Sequence, residues 1–163
     1  MSSPPYARVV VLAVTMACIA TPAFADLTAF LGSNRTPSNR TVTGAALGIS
    51  LLIVGFEFEY SATREDRAVH APSLKTGMFN VVVQTPFGGL SGLQFYGTVG
   101  GGMYREQLDV RDESSFGSNV GGGVKISLAG PLRLRFDYRL FSLRGNPLHR
   151  RPQRLYAGLN LAF

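Results

Sequence analysis

The chain has 163 residues and a formal net charge of +6, and charged residues make up 16% of the sequence. This length suits one domain, and the charge content lies below the roughly 25% that is usual for soluble domains. A single cysteine rules out an internal disulfide, and no basic patch carries the interleaved stacking aromatics of a nucleic-acid surface.

Residues 1–25 have the pattern of a secretory signal peptide. Arg8 supplies the positive charge, residues 9–20 are mainly apolar, and Ala23-Phe24-Ala25 is a small-x-small cleavage site. The apolar run is too short to cross a bilayer as a helix. We therefore expect cleavage near Ala25 and a mature chain that begins near Asp26.

Two other interpretations of residues 1–25 remain open. It could stay uncleaved as a helical anchor, or Cys18 could be the acylated residue of a lipoprotein. The residues before Cys18, Thr15-Met16-Ala17, match a lipobox poorly. Cleavage near Ala25 would also remove the only cysteine, so neither thiol catalysis nor Cys-ligated zinc is expected, and no other metal-ligand cluster is present in the sequence.

The remainder of the chain alternates apolar and polar residues, which predicts β-strands. In Leu132–Leu140, every second residue is large and apolar, and each residue between them is charged. A period of two is strand geometry, whereas a helix would scatter these charges around its axis. In chain order, the predicted strands are Leu27–Ser33, Thr43–Leu51, Val54–Tyr60, Ser73–Pro86, Gly92–Leu108, Phe116–Leu128, Leu132–Leu140 and Leu155–Phe163.

The connections between these segments alternate in length. Short ones are expected near Ser50–Leu52, Phe87–Ser91 and Ala129–Pro131. Longer polar ones are expected near Asn34–Val42, Ala62–Pro72, Glu106–Ser115 and Ser142–Pro152. Tight turns at one end and long loops at the other are typical of an outer-membrane barrel. The prediction is an all-β protein, an eight-stranded antiparallel up-and-down transmembrane β-barrel over residues 26–163.

Alternation alone also fits a soluble, lipocalin-like barrel with its apolar face inward. Gly, Ser, Thr and Asn crowd the polar face, which suits the narrow lumen of eight strands. The charges on this face nearly balance, and we predict a lumen charge network formed by Glu57, Glu59, Lys125, Arg133, Arg135, Asp137 and Arg139. Three acidic and four basic groups leave an excess that calls for water or a bound anion.

Several runs resemble a known family. Residues 116–128 (FGSNVGGGVKISL) and 130–141 (GPLRLRFDYRLF) resemble the strand-turn-strand region of the small opacity/OmpA-like outer-membrane barrels of Gram-negative bacteria, and residues 93–104 (LQFYGTVGGGMY) resemble the preceding glycine-rich strand. The ending LYAGLNLAF, with Phe163 last, is similar to the signal read by the barrel-assembly machinery. The resemblance implies residence in the outer membrane and roles such as adhesion, serum resistance or structural support.

These features lead us to expect a non-enzymatic, monomeric outer-membrane barrel without a cofactor. It would support membrane integrity or surface interaction through its loops. The alternatives are a narrow pore through the polar lumen and a lipid-modifying enzyme. The lipid A deacylase family uses a His-x-Ser pair, but neither His70 nor His149 is followed by serine two residues later.

One basic cluster suggests a lipid partner. Arg144, Arg150 and Arg151, together with His149, lie in the last predicted long loop. The planar guanidinium group of arginine matches phosphate oxygens. Besides outer-membrane lipid in general, we therefore expect contact with lipopolysaccharide phosphates here, although an ordinary solvated loop would have the same composition.

Overall fold

A computed structural model describes residues 23–51, 53–86 and 92–163. Each strand pairs antiparallel with the next, and β8 pairs with β1 to close a barrel in sequence order. The predicted eight-stranded transmembrane β-barrel fold is therefore confirmed. The strands are β1 (Ala23–Asn34), β2 (Arg40–Leu51), β3 (Val54–Thr63), β4 (Ser73–Gln84), β5 (Leu93–Leu108), β6 (Arg111–Ala129), β7 (Leu132–Leu143) and β8 (Gln153–Ala162).

The apolar face of the barrel points outward. Successive side chains of a strand lie on opposite faces, and in β3 the outward Phe58 is 52% exposed whereas Glu57 and Glu59 are buried inside. On β7, Phe136 is exposed and Arg135 is completely buried. This inside-out arrangement is the one a lipid environment requires, and the lipocalin-like alternative is wrong.

The connections define two ends of the barrel. The loop end carries residues 35–39 (L1), 64–72 (L2), 109–110 (L3) and 144–152 (L4), and the turn end carries 52–53, 85–92 and 130–131. L2 contains a single turn of 3-10 helix, Arg67–Val69, whose N-terminus is capped by the side chain of Asp66. Within the described ranges, no helix has the length and apolar character needed to cross a membrane.

The predicted strict order of short and long connections is wrong. L3 has only two residues, Asp109 and Val110, because β5 and β6 continue through the predicted loop Glu106–Ser115 and pair as far as Leu108 and Arg111. L1 is likewise shorter than the connection 85–92 at the turn end. Near the loop end, the outward residues of β5 and β6 are polar or charged, such as Arg105, Gln107 and Asp112, so the composition of this part of the strands resembles that of a loop.

The signal-peptide prediction falls mostly on residues 1–22, which lie outside the described part of the chain, and it stays a prediction. The proposed cleavage site lies at the start of β1. There Ala25 and Phe163 exchange two backbone hydrogen bonds of 2.9 Å, and the side chain of Phe163 points outward, 69% exposed.

Apolar side chains fill the lumen near the loop end. One cluster contains Leu74, Met78, Tyr104, Phe141 and Leu143. Phe30 and Tyr156 stack beside Val42, with ring centroids 4.1 Å apart. Most of the other buried side chains of the interior are polar or charged.

Candidate functional site: the lumen network and the loop end

Charged side chains from opposite walls meet in the middle of the lumen. Arg135 bonds to Glu57 and lies 3.1 Å from Asp137. Arg139 Nη2 lies 2.8 Å from Glu57 Oε1, and its Nε lies 3.0 Å from Asp137 Oδ1. Arg139 Nη1 is 2.8 Å from Glu59 Oε2, an ion pair without hydrogen-bond alignment. Alternation places all five residues on the inner face of β3 or β7, and all five are buried.

Two tyrosines complete this group. Tyr96 donates its hydroxyl hydrogen to Asp137 and accepts a 2.7 Å hydrogen bond from Arg135 Nε. The Arg135 guanidinium also lies 4.7 Å from the centroid of the Tyr96 ring, a cation–π distance. Tyr156 donates to Glu59 at 3.3 Å. The guanidinium groups are thus held by carboxylates and by aromatic rings.

The other two predicted network residues lie toward the turn end. Lys125 is buried and pairs at 3.0 Å with Asp26, rather than with Glu57 or Glu59. Arg133 is half-buried, and Asp26 is near enough for their charges to interact. The seven predicted residues therefore share one lumen but form two groups.

The structure adds two charges that the predicted network did not include. Arg154 of β8 lies 2.8 Å from Glu59 and stacks over Phe141 at 4.4 Å, while Asp26 of β1 pairs with Lys125. Both lie on the inner face of their strands, so alternation could have found them. The buried members now balance, with Asp26, Glu57, Glu59 and Asp137 against Lys125, Arg135, Arg139 and Arg154. With the half-buried Arg133, the described lumen still has one more basic than acidic group among the predicted and added residues. We call the eight buried charged residues, with Tyr96 and Tyr156, the lumen network.

Two further charged residues are buried in the lumen at the loop end. Arg40 donates to the carbonyl oxygens of Thr36 at 3.2 Å, Arg64 at 3.1 Å and Pro72, which ties L1 to L2. Glu106 accepts from the backbone N–H of Leu148 at 3.1 Å, which ties L4 to β5. The cavity left between them has a volume of only about 10 Å³.

His149 lines that cavity. Burial, together with the positive charge of Arg40, lowers the pKa of its imidazole below the ordinary value of 6.5. Its Nδ1 is buried and has no hydrogen-bond partner among the described residues. His70, by contrast, is exposed in L2.

L4 places the three predicted lipid-binding arginines at the loop end, all of them exposed. Leu143 donates to the Arg150 carbonyl and Phe141 to the Pro152 carbonyl, both at 2.9 Å, so the β7–β8 ladder continues into L4. This register sets Arg151 opposite Ser142. Arg144 lies two positions beyond Ser142, and its backbone N–H bonds to Phe116. The register therefore places Arg144 and Arg151 next to each other on the outer wall. Arg150 lies opposite Leu143, at the position between them in the strand alternation.

A groove lined by Arg151 lies on the outer wall of β5, β6 and β7. It has a volume of about 400 Å³. Ser118 and Ser142 are small outward residues at its centre, and Val99, Val120 and Leu140 form its apolar side. Arg151 closes one end, so the groove combines an apolar surface with a cation.

Comparison with solved structures supports the fold. The N-terminal barrel of Pseudomonas aeruginosa OprF matches with a TM-score of 0.65 at 15% identity, covering 86% of this chain and 97% of that one. Neisserial surface protein A (NspA) matches at 0.60 with 17% identity, covering 86% and 96%. The outer membrane enzyme PagL matches at 0.52 with 13% identity, covering 83% and 98%.

These similarities define the class of protein, a small eight-stranded transmembrane barrel, and nothing finer. No protein-family model matches the sequence, and no curated protein is similar to it in sequence. Since the similar structures include a surface protein and an enzyme, the shared fold does not determine an activity.

Proposed function

We propose that this chain is a non-enzymatic, monomeric outer-membrane barrel whose loop end faces the cell exterior. In this proposal it supports membrane integrity and surface interaction, and its lumen is closed. The observation that carries the proposal is the lumen network, in which Arg135, Arg139 and Arg154 are fully buried between carboxylates and aromatic rings. Phe163, exposed at the turn end, would be read by the assembly machinery.

A closed lumen argues against the narrow pore. Planar-bilayer recordings of the purified barrel test this, with a general porin as the positive control in the same membrane. We expect no steady current steps at protein loads where the porin conducts. Reproducible steps from the folded protein would overturn the closed lumen and favour the pore.

Location and the absence of catalysis need separate measurements. The protein should fractionate with the outer membrane, and unboiled samples should migrate differently from boiled ones on a gel; recovery as a soluble periplasmic protein would refute the proposal. Overexpression should leave the lipid A profile unchanged. A new lipid A species would instead support the lipid-modifying enzyme.

A further inference from the structure

The groove below L4 has an apolar part and a cationic end on the same outer wall. Val99 is 57% exposed, Val120 54% and Leu140 41%, so three apolar side chains flank the small Ser118 and Ser142. A fatty-acyl chain suits such a surface, because its contact with the three side chains removes apolar area from water and adds close packing contacts.

Arg151 lines the cationic end of the groove, and the strand register places Arg144 next to it. Arg151 lies opposite Ser142, and Arg144 follows Ser142 by two residues, which makes the two arginines diagonal neighbours. Diagonal positions on paired strands are about 7–8 Å apart, within reach of one phosphate for both long side chains. Arginine binds phosphate through paired N–H donors.

These two arginines are not committed to carboxylates. Among the described residues, no Asp or Glu oxygen lies within 4.0 Å of either guanidinium, whereas Arg105 on β5 pairs with Asp112 and Arg67 in L2 pairs with Glu65. Their positive charge is therefore available to an anion beside the groove.

L4 is held in place independently of any ligand. Glu113 accepts from the backbone N–H of Asn146 at 3.0 Å, Glu106 accepts from Leu148, and Arg111 donates to the Asn146 carbonyl. The Tyr104 hydroxyl donates to the Arg144 carbonyl. An anchored loop loses less conformational freedom on binding, so the backbone that carries Arg144 is preorganised.

We propose that this groove binds one molecule of lipid A, the phosphorylated and acylated glycolipid of the outer leaflet. A lipid A phosphate contacts Arg144 and Arg151, and one acyl chain lies along Val99, Val120 and Leu140. This inference rests on the proposed function, because the groove meets the outer leaflet only if the loop end faces outward. A glycerophospholipid is the competing occupant.

Native mass spectrometry of the folded full chain in detergent micelles tests the assignment. The three probes are bis-phosphorylated hexa-acyl lipid A, its dephosphorylated form and phosphatidylglycerol at equal concentration. We expect the bis-phosphorylated form to be retained most strongly. Equal retention of phosphatidylglycerol, or of dephosphorylated lipid A, would overturn the proposal.

Variants separate the two parts of the site. Arg144→Gln/Arg151→Gln should weaken lipid A binding about tenfold or more, since hydrogen bonds to charged groups are among the stronger ones. Arg64→Gln is the matched control, an exposed arginine on the opposite side of the loop end, and should bind as the original chain does. Equal losses in both would mean non-specific attraction and contradict the site.

Ser142→Phe fills the groove without changing charge and should also reduce binding, with Ser118→Val as a milder substitute if it fails to fold. Gel migration before and after boiling verifies folding of each variant. A folded original chain that binds none of the lipids refutes only the lipid A site. A chain that cannot insert into bilayers at all refutes the proposed function.

Discussion

At the scale of single residues, burial and pairing act together inside the barrel. A charge taken out of water is costly unless a partner compensates it, and each of the eight charged members of the lumen network has an oppositely charged partner within 4.0 Å. The burial of these charges was predictable from the alternation in Leu132–Leu140, because the alternation fixes which side chains face inward. The choice of partners was not predictable, since it depends on strand stagger.

The network's dependence on pairing predicts the effect of removing Arg135. Arg135→Leu leaves one uncompensated buried negative charge around Glu57 and Asp137 and should lower the free energy of unfolding by about 3–5 kcal/mol. Urea unfolding of the barrel in phospholipid vesicles measures this.

The double variant Arg135→Leu/Glu57→Gln tests the cause. It removes one positive and one negative charge and should recover part of the lost stability. A double variant no more stable than Arg135→Leu would show that packing, and not charge balance, dominates at this position.

The imidazole of His149 predicts a pH dependence. Its lowered pKa means that the folded protein binds fewer protons than the unfolded chain as pH falls below the ordinary value of 6.5. Stability present above that pH is therefore lost as the pH falls through it.

Unfolding measured above and below pH 6.5 should show a larger loss in the original protein than in His149→Gln. Carboxylates elsewhere titrate in both proteins and cancel in the comparison. Identical pH profiles would contradict the assignment, as would an imidazole pKa at or above 6.5 from NMR titration.

At the scale of elements, the loop end shows where sequence reasoning failed. In the apolar band an outward residue meets lipid, so strands show alternation. Between the Met103–Phe116 pair and L3, the outward residues are polar. Two of them, Arg105 and Asp112, form a salt bridge across the β5–β6 hairpin. The hairpin is still a regular ladder, but its composition no longer distinguishes it from a loop.

The contacts that anchor L4 predict how it can be released. Glu113→Ala removes the acceptor of the Asn146 N–H and should speed trypsin cleavage after the L4 arginines, Arg144, Arg150 and Arg151. Amide hydrogen exchange at Asn146 should accelerate as well.

Glu113→Gln is the matched control for this change. It keeps an acceptor oxygen but loses the charge, so its cleavage rate should lie between those of the original protein and Glu113→Ala. Unchanged cleavage in Glu113→Ala would mean that Glu106 and Arg111 suffice to hold L4.

At the scale of the whole molecule, the strand order and the membrane-type inside-out arrangement were predictable because they follow from a period of two repeated along the chain. Closure between β1 and β8 also depends on how closely the two backbones approach, which the alternation of apolar and polar residues does not show. At this seam Gly32 lies opposite Tyr156, and an added Cβ would lie 2.2 Å from the Leu155 carbonyl oxygen.

Gly32→Ala should therefore impair closure and reduce the yield of folded protein, read as the fraction with altered migration before boiling. Gly77→Ala is the control. A Cβ at that outward position would meet only the Phe58 ring, at 3.9 Å, and its yield should not change. Equal yields for the two variants would show that the seam tolerates a methyl group.

Several ion pairs of the lumen join strands that are not neighbours in the sheet. Asp26–Lys125 links β1 with β6, Arg135–Glu57 links β7 with β3, and Arg154–Glu59 links β8 with β3. In a flat, open sheet these strands are too far apart for any of the pairs to form. An unfinished barrel thus leaves Asp26, Glu57, Glu59, Lys125 and Arg154 without these partners, and joining the first strand to the last brings the partners together. We therefore expect the cross-lumen ion pairs to make the last step of barrel closure cooperative.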